Sequence, residues 1–243
     1  MRLIIIRHGD PDYSIDSLTE TGWREAELLS ERISRLNVKA FYVSPLGRAK
    51  DTAKATLSKM GREATVCDWL REFPLRLKEK NGEANGGCLW DWLPEVWTQT
   101  PDFYDKDKWM DVPCMREVGT REAYEAVTAG LDALLASHGY ERCGGYYRAV
   151  APNDDTIVFF CHFGLECILL SHLIGVSPMV LWHGFCAAPT SVTTIYTEER
   201  REGKASFRIA AFGDISHLYV AGENPSFAAR FCEMYKNADE RHD

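Results

Sequence analysis

The sequence predicts an α/β fold, a three-layer sandwich with a mainly parallel sheet flanked by helices. Three observations carry this expectation. Two apolar runs, Leu3 to Ile6 and Thr156 to Cys161, lack the alternation of a half-exposed strand, as strands buried on both faces of a parallel sheet do. Between strand-like runs lie segments whose apolar residues recur every three or four positions, the spacing of helices with one buried side. A length of 243 residues, 45% hydrophobic and 26% charged, is enough for one full core.

Each element follows in chain order. Leu3 to Ile6 is the first strand. After a loop, Thr19 caps a helix whose stripe of Trp23, Ala26, Leu29, Ile33 and Leu36 should lie on the sheet, with Gly22 a tolerated weakness of about 1 kcal/mol. Ala40 to Ser44 reads as a second strand, Pro45 sits where a first helical turn tolerates it, and Ala49, Ala53 and Leu57 give the next helix its apolar side. A third strand follows near Thr65 to Cys67. From about 73 to 119 the periodicity lapses into a soft stretch, Asn81 to Gly87, and then Trp90, Trp92, Trp97 and Trp109, four of the chain's seven tryptophans. This reads as a Trp-rich insertion within a single domain spanning 1–243, because a segment this apolar is no linker. Regular structure returns with a helix over Arg121 to Ser137, a strand over Thr156 to Cys161, a helix from Phe163, and antiparallel strands over Val192 to Thr197 and Ser206 to Phe212.

Composition narrows the function. With 28 Lys and Arg against 36 Asp and Glu, the net charge of -8 removes the broad attraction that non-specific nucleic-acid or acidic-membrane binding uses, so neither partner is expected. No apolar run approaches the roughly 18 residues of a membrane span, and Arg7 and His8 interrupt the opening run too early for a signal peptide, so a soluble, cytoplasmic protein is expected. The eight cysteines show no C-x-x-C pair and are expected to be reduced and mostly core, with no metal site.

Three places could carry chemistry. Arg7-His8-Gly9 follows an apolar strand directly, offering a planar fork of donors, a nucleophilic or proton-transferring nitrogen, and room for an anion to approach backbone. Cys161-His162-Phe163-Gly164 repeats that placement, so the two histidines could face one another over one crevice. In Ser44-Pro45-Leu46-Gly47-Arg48-Ala49, Arg48 falls in a first helical turn, where its guanidinium could reach the same anion. Taken alone, an ion-paired Arg7, satisfied core histidines and a solvated Arg48 explain these residues as well.

The order of Arg7-His8-Gly9, Leu18-Thr19-Glu20-Thr21-Gly22, Ser44 through Ala53, Leu70-Arg71-Glu72 and then His162 resembles the histidine phosphatase superfamily, the phosphoglycerate-mutase-like fold, over about 1–72 and 155–218. The resemblance implies that His8 is the nucleophile that forms a phosphohistidine. It implies that His162 is the second histidine of the phosphate pocket and that Arg7 and Arg48 neutralise the transferring group. Glu72 is implied as the acid that protonates the leaving oxygen, with Glu79 and Glu83 close enough to compete. No cofactor or metal is implied, and Arg7 and Arg48 would repel a cation. The loop Asp10-Pro11-Asp12-Tyr13 departs from the family's Thr- or Ser-containing version, and Phe73-Pro74-Leu75 replaces the Gly and Trp-Glu-Gly-like segment that many members carry after the Glu. His217 matches a late segment of bacterial members and reads as structural.

The four insertion tryptophans are either a lid over the pocket or the insertion's own small core. Arg71, Arg76, Lys78 and Lys80 form either an exposed basic turn or a site for a second anionic group of the substrate. The expected function is hydrolysis of a small phosphorylated metabolite through a phosphohistidine on His8. A phosphoglycerate-mutase-type transfer and a non-catalytic phospho-ligand sensor are the alternatives, and the oligomeric state stays open.

Overall fold

The computed structural model describes residues 1–77 and 87–226. In chain order its elements are β1 (Arg2–Arg7), β2 (Pro11–Asp12), β3 (Ser17–Leu18), α1 (Glu20–Ile33), β4 (Ala40–Val43), α2 (Gly47–Met60), β5 (Thr65–Val66), α3 (Pro94–Trp97), α4 (Pro113–Glu117), α5 (Thr120–Ser137), β6 (Tyr140–Cys143), β7 (Tyr146–Ala149), β8 (Thr156–Cys161), α6 (Phe163–Ile174), α7 (Pro178–Gly184), β9 (Val192–Arg201), β10 (Lys204–Asp214) and α8 (Ser216–Ala221).

Eight strands form the central sheet in the order β5-β4-β8-β1-β9-β10-β7-β6. The pairs β5–β4, β4–β8 and β8–β1 are parallel, while β1–β9, β9–β10, β10–β7 and β7–β6 are antiparallel. Only β9 and β7 therefore run against the other six strands. The apolar run of β1 divides between two cores: Ile4 and Ile6 pack with Leu29 and Ile33 of α1 and Ala49 and Ala53 of α2, while Leu3 and Ile5 face the side of α5, α6 and α7. Period-two geometry inside an unbroken hydrophobic run is what places helices on both faces.

Local signals act as expected in α1, where the Thr19 hydroxyl accepts the Gly22 N–H at 3.0 Å. The stripe is shifted, however. Ala26, Leu29 and Ile33 are buried, but Trp23 is 39% exposed and lies under Lys54, while Glu25 is fully buried and accepts the Asp10 N–H at 2.8 Å. Pro45 lies before α2, whose first residue is Gly47. The cysteines depart from expectation as well: the seven described are free, but only Cys161 and Cys167 are buried and Cys186 is exposed, while Cys232 lies outside the described residues.

The insertion does not build a core of its own. Trp92 and Trp109 are buried in the same cluster as β1, β8, α5 and α6, with Trp109, Trp90 and Phe73 gathered on Trp182 of α7 at ring-centroid separations of 5.6, 6.3 and 6.0 Å. His183 of α7 stacks on Trp97 at 4.8 Å, and its Nε2 accepts the Trp92 N–H at 3.1 Å. Among the described residues no helix is long and apolar enough to cross a membrane.

Candidate active site

The site grows from three strand ends. Register pairs Arg7 of β1 with Cys161 of β8, so the next residues, His8 and His162, leave the sheet side by side with ring centroids 5.1 Å apart. Val43 of β4 pairs with Phe160, which brings Ser44 beside His162, and the Ser44 hydroxyl lies 2.8 Å from His162 Nε2. The other ring nitrogen, Nδ1, has no hydrogen-bond partner. Both histidines are buried, His8 at 2% and His162 at 0% exposure.

His8 is tautomerically assigned by its surroundings. Nδ1 lies 2.8 Å from the Gly9 carbonyl, which can only accept, so Nδ1 carries the proton and Nε2 presents a lone pair. Burial first, and then Arg7, holds the His8 imidazole well below its usual pKa, so it is neutral. Burial, followed by His8 and Arg48, does the same to His162. The Arg7 guanidinium donates to the Ala187 carbonyl at 2.6 Å and is itself buried.

Arg48 enters from the first turn of α2. Asp16 supports it by accepting the Gly47 N–H at 2.7 Å with one carboxylate oxygen and Arg48 Nη1 at 2.6 Å with the other. Asp16 does this from a left-handed backbone, φ 49°, and a Cβ on Gly47 would stand 2.0 Å from the Asp16 carbonyl, so only glycine fits there. The exposed Tyr13 ring covers the guanidinium carbon at 5.4 Å.

Glu72 faces the same space. Its Oε1 accepts the N–H groups of Phe73 at 2.9 Å and Leu165 at 3.0 Å. Burial raises its pKa against those two hydrogen bonds and the charges of Arg7 and Arg48. Gly164 makes the approach possible, since a Cβ there would lie 2.9 Å from Glu72 Oε1.

A cavity of about 660 Å³ joins these groups, lined by Arg7, His8, Arg48, Glu72 and the buried rings of Phe73 and Phe163 at its inner end and by the more accessible Tyr13, Leu46, Arg71, Pro74, Arg76, Cys88, Trp90 and Asp91 farther out. His162, beside His8, is not among the residues that line the cavity. Glu79, Glu83, Lys78 and Lys80 lie outside the described residues. Of the insertion tryptophans only Trp90 lines the cavity. His217 is also off the wall and touches Thr190, with its Nε2 3.1 Å from the hydroxyl. Among the described residues no three His, Cys, Asp or Glu side chains converge as a metal would require.

Sequence reasoning missed Ser44, Asp16, Asp91, Thr190 and Glu166. Ser44 stood inside a recognised block and was readable as a candidate, whereas the others gain their places only through contacts between distant segments. Glu166 is 1% exposed in the first turn of α6, with Oε1 unpartnered, and burial raises its pKa to about 7.

The arrangement supplies a neutral ring nitrogen, two guanidiniums and a protonatable carboxyl in the lining of one cavity. A family model described as histidine phosphatase superfamily (branch 1) matches residues 3–209. Phosphoserine phosphatase 1 of Hydrogenobacter thermophilus is 25% identical over 212 residues, 83% of this chain and 89% of that protein. A 2,3-bisphosphoglycerate-dependent phosphoglycerate mutase of Thermoplasma acidophilum is 24% identical over 149 residues, 56% of this chain and 74% of that protein. Among solved structures, a phosphoserine phosphatase of Entamoeba histolytica in complex with phosphoserine superposes with a TM-score of 0.58 at 20% identity, covering 89% of this chain and 98% of the other. A mycobacterial glucosyl-3-phosphoglycerate phosphatase with inorganic phosphate gives 0.59 at 18% identity, covering the same shares. These likenesses establish the fold.

Proposed function

That this chain belongs to the histidine phosphatase superfamily is the premise from which we propose its activity, the hydrolysis of a small phosphomonoester through a phosphohistidine on His8. The observation that carries the reading is the His8 tautomer: a neutral ring with Nδ1 committed to the Gly9 carbonyl and Nε2 left to attack. In the first step the Nε2–P bond forms and the ester P–O bond breaks, while the protonated Glu72 gives its proton to the departing oxygen. In the second, water attacks phosphorus, its proton passes to the Glu72 carboxylate, and the N–P bond breaks to release inorganic phosphate. Arg7 and Arg48 offset the charge that gathers on the phosphoryl oxygens, and His162 flanks the nucleophile within the same charge-stabilising set.

Arg71 and Arg76 in the outer cavity support a substrate with a second anionic group, which phosphoserine and 3-phosphoglycerate, ligands of solved Entamoeba histolytica relatives, both carry. Residues 1–243 are read as one domain, and the free cysteines favour a cytoplasmic location.

The test is turnover of p-nitrophenyl phosphate, phosphoserine and 3-phosphoglycerate with excess chelator, comparing wild type with His8→Ala. Turnover should fall by at least about 10⁴ in the variant. Wild type quenched during turnover should carry phosphate in an acid-labile, base-stable linkage that His8→Ala lacks. Return of the labelled phosphoryl group to a substrate hydroxyl instead of water would make the enzyme a mutase, and phosphate binding without labelling would make the protein a sensor.

A further inference from the structure

We propose that His217 is a positioning residue for the nucleophile: from α8 it holds Thr190 in a left-handed turn whose backbone fixes both His8 and Arg7. The inference rests on the reading of His8 as the nucleophile. Among the described residues only Asp16 and Thr190 have positive φ without being glycine, and both stand beside the phosphate pocket. Asp16 is of a type that tolerates this conformation. Thr190, at φ 57°, is β-branched, for which the left-handed region is a genuine outlier. Such strain persists only where surrounding contacts over-determine it.

Those contacts converge on the reacting segment. The Thr190 N–H donates to the His8 carbonyl at 3.2 Å, and the Ser191 carbonyl accepts the Arg7 N–H at 3.2 Å. The Ala187 carbonyl accepts the Arg7 guanidinium at 2.6 Å, and the Ser191 N–H closes the turn on the Ala188 carbonyl at 3.0 Å. One five-residue turn, 187–191, therefore sets the backbone of the nucleophile and both ends of its neighbouring arginine.

His217 supplies the restraint. The Thr190 hydroxyl has a single proton, which it gives to the Pro189 carbonyl at 2.7 Å. Its 3.1 Å contact with His217 Nε2 is then a hydrogen bond donated by the imidazole. His217 is buried at 8% exposure, and burial, with Arg32, lowers its pKa to about 4, so the ring is a neutral donor. Its helix is anchored in turn, since Arg32 of α1 bonds Asp214 at 2.6 Å and the Ser216 hydroxyl at 3.2 Å. Without the imidazole, Thr190 can relax toward extended backbone and withdraw its N–H from His8.

The experiment measures kcat for p-nitrophenyl phosphate, well below the unfolding temperature, in a double-mutant cycle between His217→Ala and Thr190→Gly. His217→Ala should lower kcat about tenfold, as sub-ångström misplacement of a reacting group does, and His217→Gln, which keeps a donor, should recover most of it. Glycine takes the left-handed turn without strain, so in the Thr190→Gly background His217→Ala should cost less than about twofold. Thr190→Val keeps the branched shape but loses the hydroxyl, and should lose as much as His217→Ala; it carries the test if His217→Ala does not fold. Equal losses from His217→Ala in both backgrounds, or Thr190→Val as active as wild type, would overturn the proposal while His8-dependent turnover left the phosphatase reading standing. If turnover survived His8→Ala, that reading would fail and take this proposal with it.

Discussion

The inner end of the cavity and its outer wall are built in different ways. Arg7, His8, Ser44 and His162 leave the ends of three adjacent parallel strands, and Arg48 starts the helix behind one of them, so their spacing follows sheet register and helix entry. The outer wall comes mainly from residues 71–77 and 87–91, with Tyr13 and Leu46 beside them, its two segments joined by an Arg76–Cys88 bridge and backed by aromatic packing on Trp182. An inner residue cannot move without disturbing hydrogen-bonded strands, whereas the exposed wall side chains Arg71, Pro74 and Arg76 can be exchanged without disturbing the sheet. Chemistry belongs where position is over-determined, and substrate choice belongs where it is not.

Glu72 tests that division most severely, because it comes from the wall segment but is held by the Leu165 N–H of α6. For an alkyl phosphate, whose leaving oxygen needs a proton, Glu72→Gln should lower kcat/KM, which reports the phosphorylation step alone, by about 10²–10⁴. For p-nitrophenyl phosphate, whose leaving group departs as a stable anion, the loss should stay below about tenfold. Equal losses on both esters would show that the proton comes from another acid, with Asp91 of the cavity lining the first to test.

Glu166 probes the inner end through stability. Its carboxyl titrates at about 7 in the folded protein against an ordinary 4.5, so the stability present below pH 4.5 is lost as pH rises through 7. Gln has no such titration and can still accept the hydrogen bond that the Thr193 side chain gives the Glu166 carboxyl. Urea unfolding should show Glu166→Gln gaining on wild type between pH 5 and pH 8 by up to about 3 kcal/mol. A pH-independent difference would place the folded-state pKa near its ordinary value.

The smallest effect belongs to the wall. Arg71→Met should raise KM for 3-phosphoglycerate about tenfold, the value of one exposed charge-assisted contact, and leave p-nitrophenyl phosphate unchanged. Equal changes on both substrates would mean that Arg71 acts on the phosphate pocket itself.

The legible parts of the molecule were those with local physical signals. The apolar runs of β1 and β8, the Thr19 cap and the helix behind Phe163 all appear as read. The β6–β7 hairpin has only a faint local signature: Gly144-Gly145 lies between two short runs, but their polar alternation, Tyr-Glu-Arg-Cys and Tyr-Tyr-Arg-Ala, lacks the apolar run of a central strand. Trp23 is exposed while Glu25 is buried, a placement outside the reach of helical spacing, which alone does not say which side of a broad stripe meets the sheet.

Arg7-His8-Gly9 and His162 were determined by the sequence alone, since a reactive residue directly after a buried strand must emerge at that strand's end. That His8 meets His162 was decided by β1–β8 register, and that His162 meets Ser44, 118 positions away, by β4–β8 register. The Thr190–His217 contact, the Asp16 support of Arg48 and the Leu165 hold on Glu72 likewise belong to tertiary structure. Each is a hydrogen bond between segments that only the assembled sheet and helices bring within 3.1 Å, and no local preference of either partner encodes the other.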